Sequence, residues 1–117
     1  MRESLSTALA IPARRRIFAL GDMLELGAHA QDAHYALGQH IGRINPELLY
    51  LVGDLSQYVK QGALDAGMQA ERIFHCESTD EIATSLRYIL TDGDVLLVKG
   101  SRGMHLEMVV QRLLEED

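Results

Sequence analysis

The order of the apolar runs constrains this chain more than any other feature. Short runs at Ile17 to Leu20, Leu48 to Val52, Arg72 to His75 and Asp94 to Val98 have the length and composition of strands. Between them lie longer stretches whose apolar residues recur at helical spacing. His29 to Ile44 carries Ala30, Ala33, Leu37, Ile41 and Ile44; Leu55 to Ala66 carries Val59, Ala63 and Ala66. Ser78-Thr79-Asp80-Glu81 matches a capping box and opens a helix with Ile82, Ala83, Leu86, Ile89 and Leu90 inside. Met1, Leu5, Ala8 and Leu9 predict a further helix over Met1 to Ala10, and Leu106, Val109, Val110 and Leu113 another near the end. Asn45-Pro46, Gly67 and Asp92-Gly93 punctuate the pattern. Strands separated by helices pair in parallel through right-handed crossovers, so the chain is expected to be α/β, with a mainly parallel sheet of about four strands. Its 117 residues, 47% of them hydrophobic, suit one domain over 1–117 that buries roughly two thirds of its unfolded surface.

Charge and composition exclude several classes. A net charge of −6 argues against a nucleic-acid binder, which needs a basic face, and Arg14-Arg15-Arg16 is read as a solvated loop with one arginine leading into a strand. No apolar run approaches the ~18 to 20 residues of a membrane span, and Arg2 and Glu3 stand where a signal peptide would be turning apolar. No membrane contact is therefore expected, and a cytoplasmic location is. Cys76 is the single cysteine, read as a small packing residue near a strand end.

In a parallel sheet every loop that follows a strand emerges at the same carboxyl edge, where open α/β folds bind ligands. The loops there are GDMLELG, GDLSQ, CESTD and KGSRG, so Asp22, Glu25, Asp54, Lys99, Ser101 and Arg102 are expected to converge although the sequence scatters them. The last loop brings two cations, a hydroxyl and two glycines to the start of a helix, a setting that suits an anion. The plainer reading makes the glycines a turn and the cations solvated. Carboxylates facing cations across one edge would complement a zwitterion such as an amino acid or dipeptide. Neither a Gly-x-x-x-x-Gly-Lys-Ser/Thr loop nor a Gly-x-Gly-x-x-Gly after the first strand is present, so neither triphosphate nor dinucleotide has its usual cradle. His34 is expected to be structural, bonded near GDMLELG, and His29, His40, His75 and His105 form no metal-ligand pattern.

ALGDMLELG with His34 downstream, LVGD, and GDVLLVKGSRGMHLE together resemble the C-terminal domain of the Mur ligases, over essentially the whole chain. Among them the likeness is strongest to those that attach D-alanyl-D-alanine to UDP-N-acetylmuramoyl-tripeptide in bacterial peptidoglycan synthesis. The resemblance implies a Rossmann-like three-layer sandwich within a three-domain enzyme that uses ATP and magnesium to activate the peptide carboxylate as an acyl phosphate, which the dipeptide amine then attacks. It also implies that Asp22, Glu25, Asp54, Lys99, Ser101 and Arg102 help hold the dipeptide. The family's central phosphate-loop domain, its N-terminal domain, and the first strand and Asn-Ala-Asn-Pro segment ahead of the helix matching Met1 to Ala10 have no counterpart here. A fragment is therefore expected, inactive alone and holding no cofactor tightly, with an uncovered sheet edge that favours weak self-association or a reorganised N-terminal segment. The competing reading is a stand-alone α/β module that binds an anionic or zwitterionic small molecule or a partner protein.

Overall fold

A computed structural model describes residues 15–90 and 93–100, apart from the side chains of residues 24–26. The helices expected over Met1 to Ala10 and around Leu106 to Leu113 lie outside the described residues. Within them the chain runs β1 (Arg15–Gly21), α1 (Ala30–Ile44), β2 (Leu48–Val52), α2 (Ser56–Asp65), β3 (Ile73–Cys76), α3 (Thr79–Ile89) and β4 (Asp94–Lys99). Two 3₁₀ segments, Leu24–His29 and Ala70–Arg72, fill connections, and the second takes up Arg72, so β3 begins one residue later than the apolar run suggests. No helix among the described residues is long and apolar enough to cross a membrane.

The four strands are all parallel, in the order β3-β2-β1-β4. Side chains alternate across the sheet. Phe18, Leu20, Leu49 and Leu51 face a cluster completed by Ile41 of α1 and Val59 and Ala63 of α2, whereas Ile17, Ala19, Tyr50 and Val52 face Ile82, Ala83 and Leu86 of α3. Among the described residues two helices thus cover one face and one the other, the three-layer α/β arrangement expected. The change of face follows from the strand order. From β1 to β3 the chain steps one way across the sheet; to reach β4 it returns past β2 and β1, and a constant crossover hand then puts α3 on the opposite face.

Local signals explain where the helices stop. Asn45 adopts a left-handed conformation and its N–H bonds the Ile41 carbonyl at 2.8 Å. After α2, the N–H groups of Gly67 and Met68 return to Leu64 and Ala63, both at 3.0 Å, a Schellman closure that tucks Met68 into the core. Ser78 accepts the Glu81 N–H at 3.2 Å as the capping box requires, but the Glu81 carboxylate reaches back to the N–H of Glu77 rather than to that of Ser78.

β4, which among the described residues pairs with β1 alone, is half-buried along Asp94 to Val98. One expectation is corrected. The arginine run is not a solvated loop: Arg15 and Arg16 open β1, and Arg15 grips Asp94 through Nε–Oδ1 at 2.9 Å and Nη2–Oδ2 at 2.6 Å while also donating to the Ile89 carbonyl at 2.7 Å. This fork ties β1 to β4 at the amino edge and closes the end of α3 onto it.

The helices α1 and α2 touch backbone to backbone. A Cβ placed on Gly38 would lie 2.1 Å from the Val59 carbonyl oxygen, and one on Gly62 would lie 2.2 Å from that of Tyr35. Only glycine permits this approach, which Tyr35 reinforces by donating to the Asp65 carboxylate. Gly38→Ala should therefore destabilise the chain. Overpacking costs about 1–3 kcal/mol and outweighs the gain of about 1 kcal/mol from replacing a helical glycine, because a backbone carbonyl cannot swing aside. A lower urea midpoint at an unchanged slope is the expected result; a midpoint equal to the parent's would show that the helices part without cost.

Candidate functional site

The strand order changes direction between β1 and β4, so the loops that leave these two strands flank the crevice where open α/β sheets take ligands. Leu20 of β1 lies opposite Lys99 of β4 in the register, which sets the Gly21-Asp22-Met23 exit beside Lys99-Gly100. The parallel sheet brings the described beginnings of both loops to one edge. Lys99 is exposed there; Ser101 and Arg102 lie outside the described residues.

Asp22 lies at this edge in an unexpected setting. Its carboxylate is buried, 4% exposed, and accepts three hydrogen bonds from the start of α2: the Ser56 N–H at 2.8 Å and hydroxyl at 3.0 Å on Oδ1, and the Leu55 N–H at 3.0 Å on Oδ2. The residue that precedes α2, Leu55, has no capping side chain, so the orphan N–H groups of the first turn are satisfied from a different strand. Gly53 makes room. Its φ is +108°, and a Cβ there would stand 2.5 Å from the Asp22 carboxylate. Asp22 thus joins β1 to α2, and this site residue inferred from the sequence is already engaged by the protein.

The rest of the loop is held from α1. His34, buried at 1% exposure, accepts the Met23 N–H on Nε2 at 3.0 Å and bonds the Ala30 carbonyl through Nδ1 at 2.5 Å, so the structural role expected for it is the one seen. Glu25 falls on the 3₁₀ segment that follows; its side chain is outside what the structure describes.

Asp54 is exposed beyond β2 and opens into a second space, a cleft of about 440 Å³ lined by Gly53, Asp54, His75, Cys76 and Glu77. His75 bonds the Gly53 carbonyl at 2.8 Å through Nε2. The sequence reading missed His75, Glu77 and Ser56. His75 is the next-to-last residue of β3, and Glu77 and Ser56 stand in the CESTD and GDLSQ loops, whose position at the carboxyl edge was the available signal; the bond from Ser56 to a carboxylate 34 residues away had none. No three His, Cys, Asp or Glu side chains among the described residues are placed to hold a metal.

These placements give two tests. Asp22→Asn would present an amide donor to backbone donors and remove the charge at the helix start, so a loss of about 2–3 kcal/mol is expected in urea unfolding; an unchanged midpoint would remove the brace. Burial, with Glu81 adding to it, pushes the Cys76 thiol from 9.0 to about 11. The stabilising effect of keeping this thiol protonated is complete below pH 9 and lost as pH rises through about 11. At pH 8 the folded chain should hold roughly a hundredfold less thiolate than a free thiol, so iodoacetamide should label Cys76 far more slowly than in urea. Equal rates would contradict the packing role.

Comparison with known proteins fits this geometry. UDP-N-acetylmuramoyl-tripeptide--D-alanyl-D-alanine ligase of Bacillus subtilis is 31% identical over 101 residues, which cover 86% of this chain and 22% of that protein. The enzyme of the same name from Treponema pallidum is 30% identical over 99% of this chain and 25% of its own. In three dimensions the chain superposes on MurF from Acinetobacter baumannii with a TM-score of 0.82 at 22% identity, covering 99% of this chain and 25% of that one. MurF ligase from Thermotoga maritima, solved in complex with ADP, gives 0.77 at 22% identity, covering 96% and 24%. The chain therefore spans about a quarter of the length of the relatives it matches. Residues 1–102 match the family model described as Mur ligase, glutamate ligase domain, and the chain belongs to that family.

Proposed function

We propose that the chain is the C-terminal domain of an ATP-dependent amide ligase that joins D-alanyl-D-alanine to UDP-N-acetylmuramoyl-tripeptide in peptidoglycan synthesis, and that its carboxyl edge receives the dipeptide. Membership of the family supports the reaction class, and the names of the relatives support the substrates. The observation that carries the site is the polarity of the edge. Asp54 follows β2 and Lys99 ends β4, with β1 between them, so an acid and a cation stand on strands roughly 10 Å apart. An extended dipeptide spans about 7 Å, which lets its ammonium lie toward Asp54 and its carboxylate toward Lys99, with Ser101 and Arg102 next in the chain to complete the anion side. Asp22 stands between the two ends with its carboxylate already taken up, so it orients the loop rather than gripping the ligand.

In this reaction ATP and magnesium supply the activation of the peptide carboxylate. The residues of this chain do not fit a cradle for them by themselves: the sequence lacks the phosphate loop, and the described residues bring no metal-binding group of three together. The remaining domains of a parent enzyme, which we place in the cytoplasm, would provide that cradle.

Two experiments test the proposal. The isolated chain should show no ATP turnover that follows it through purification. In the full-length ligase, Lys99→Ala and Arg102→Lys should each weaken the dipeptide roughly 10- to 150-fold, the effect of losing a charge-assisted bond, with arginine's planar fork not replaced by lysine. Steady-state kinetics with each substrate varied in turn provide the measurement. A Michaelis constant for D-alanyl-D-alanine and a turnover number both within about twofold of the parent's would reduce this loop to a turn.

A further inference from the structure

We infer that His34 is a positioning residue for dipeptide binding, acting through the backbone amide of Met23 on the loop that carries Glu25. The inference rests on the function proposed above and concerns how the β1 side of the crevice is held.

The ring sits where α1 meets the loop that follows β1. Nε2 receives the Met23 N–H, so that nitrogen carries the lone pair; Nδ1 faces the Ala30 carbonyl at 2.5 Å, so that nitrogen carries the proton. Both bonds form together in one neutral tautomer only. Ala30 is the first residue of α1 and its carbonyl belongs to the same helix, so the ring is fixed by its own helix and presents a single acceptor outward. Met23 follows Asp22, which is itself locked to α2 by three bonds. The chain is thus pinned at consecutive residues, Asp22 by its side chain and Met23 by its amide, immediately before the 3₁₀ segment Leu24–His29. A side chain four residues along α1 from Ala30 accordingly sets where Glu25 starts, although it lines neither the cleft beside β2 nor the exposed end of β4.

Shape separates this role from simple core filling. Glutamine can place its side-chain oxygen where Nε2 lies and keep the Met23 bond; asparagine can place a donor where Nδ1 lies and keep only the Ala30 bond. Both are polar and neutral. Glutamine also fills more of the space, so a mere space-filling role would lower the melting temperature of the asparagine variant and leave its dipeptide constant at the parent's.

The test uses the full-length ligase with His34→Gln and His34→Asn, assayed with ATP and with D-alanyl-D-alanine varied in turn, alongside thermal melting. The expected result is a Michaelis constant for the dipeptide raised about tenfold in the asparagine variant and within about threefold of the parent in the glutamine variant, with the ATP constant within about twofold in both. Equal dipeptide constants in the two variants, or a change confined to ATP, would overturn the inference. A parent enzyme that fails to ligate D-alanyl-D-alanine at all would overturn the function proposed above instead. Long-range proton–nitrogen correlation spectra of the unsubstituted protein give a readout independent of activity and of whether the variants fold: they should show His34 protonated on Nδ1 with Nε2 bare. The opposite tautomer, or a doubly protonated ring at neutral pH, would exclude the Met23 bond and the inference with it.

Discussion

One buried carboxylate holds the carboxyl edge of the sheet together. An ionised group removed from water is costly unless its lone pairs are taken up, and Asp22 meets that condition with two backbone N–H groups and a hydroxyl from the first turn of α2. The interaction works in both directions. The helix start, with its orphan donors and positive dipole end, is as poorly satisfied without the carboxylate as the carboxylate is without it. Ser56 is the hinge of the arrangement, since its hydroxyl also lies 3.0 Å from the Val52 carbonyl and so links the end of β2 to the same cluster. β1, β2 and α2 are therefore fixed to one another at the point where the loops of the carboxyl edge begin.

The same edge depends on the stripe along α1. Ala30, His34, Gly38, Ile41 and Gly42 are its buried residues, and four of them recur at intervals of four along one line of the helix. At Gly38 the line is bare enough for the α2 backbone to come into contact; at His34, one turn earlier, it carries a ring that reaches the loop after β1. A bulkier residue at Gly38 would lift α1 from α2, and the lift would be felt at His34. Packing and the site are thus coupled through one helix face rather than through a long chain of contacts.

Much of the fold was legible because periodicity encodes which side of an element is buried. β2 was bounded correctly at Leu48 and Val52, the stops at Asn45 and Gly67 are where the chain turns, and the capping box at Ser78 caps its helix. Periodicity does not encode partners. The Arg15–Asp94 fork joins residues 79 apart, and the Asp22–Ser56 bonds join residues 34 apart, so neither partnership shows in the local sequence. Asp22 illustrates the difficulty. An aspartate just beyond a strand at the carboxyl edge has the same sequence context whether it waits for a substrate or caps a neighbouring helix, and only the empty capping position at Leu55 distinguishes the two.

The capping of α2 has a consequence for charge. In open α/β folds a helix start at the carboxyl edge is a ready anion site, and here that of α2 is occupied by the protein's own carboxylate. An arriving anion cannot use it without displacing Asp22, which would strand a buried charge. On the other side of β1 stands Lys99, exposed, and beyond β2 stands Asp54, also exposed. The internal cap thus takes up an anion site next to Asp54, and among the described residues an exposed acid stands beyond β2 and an exposed cation at the end of β4. A ligand with one positive and one negative end meets that edge favourably in one orientation only. That asymmetry rests on the bonds between the Asp22 carboxylate and the start of α2.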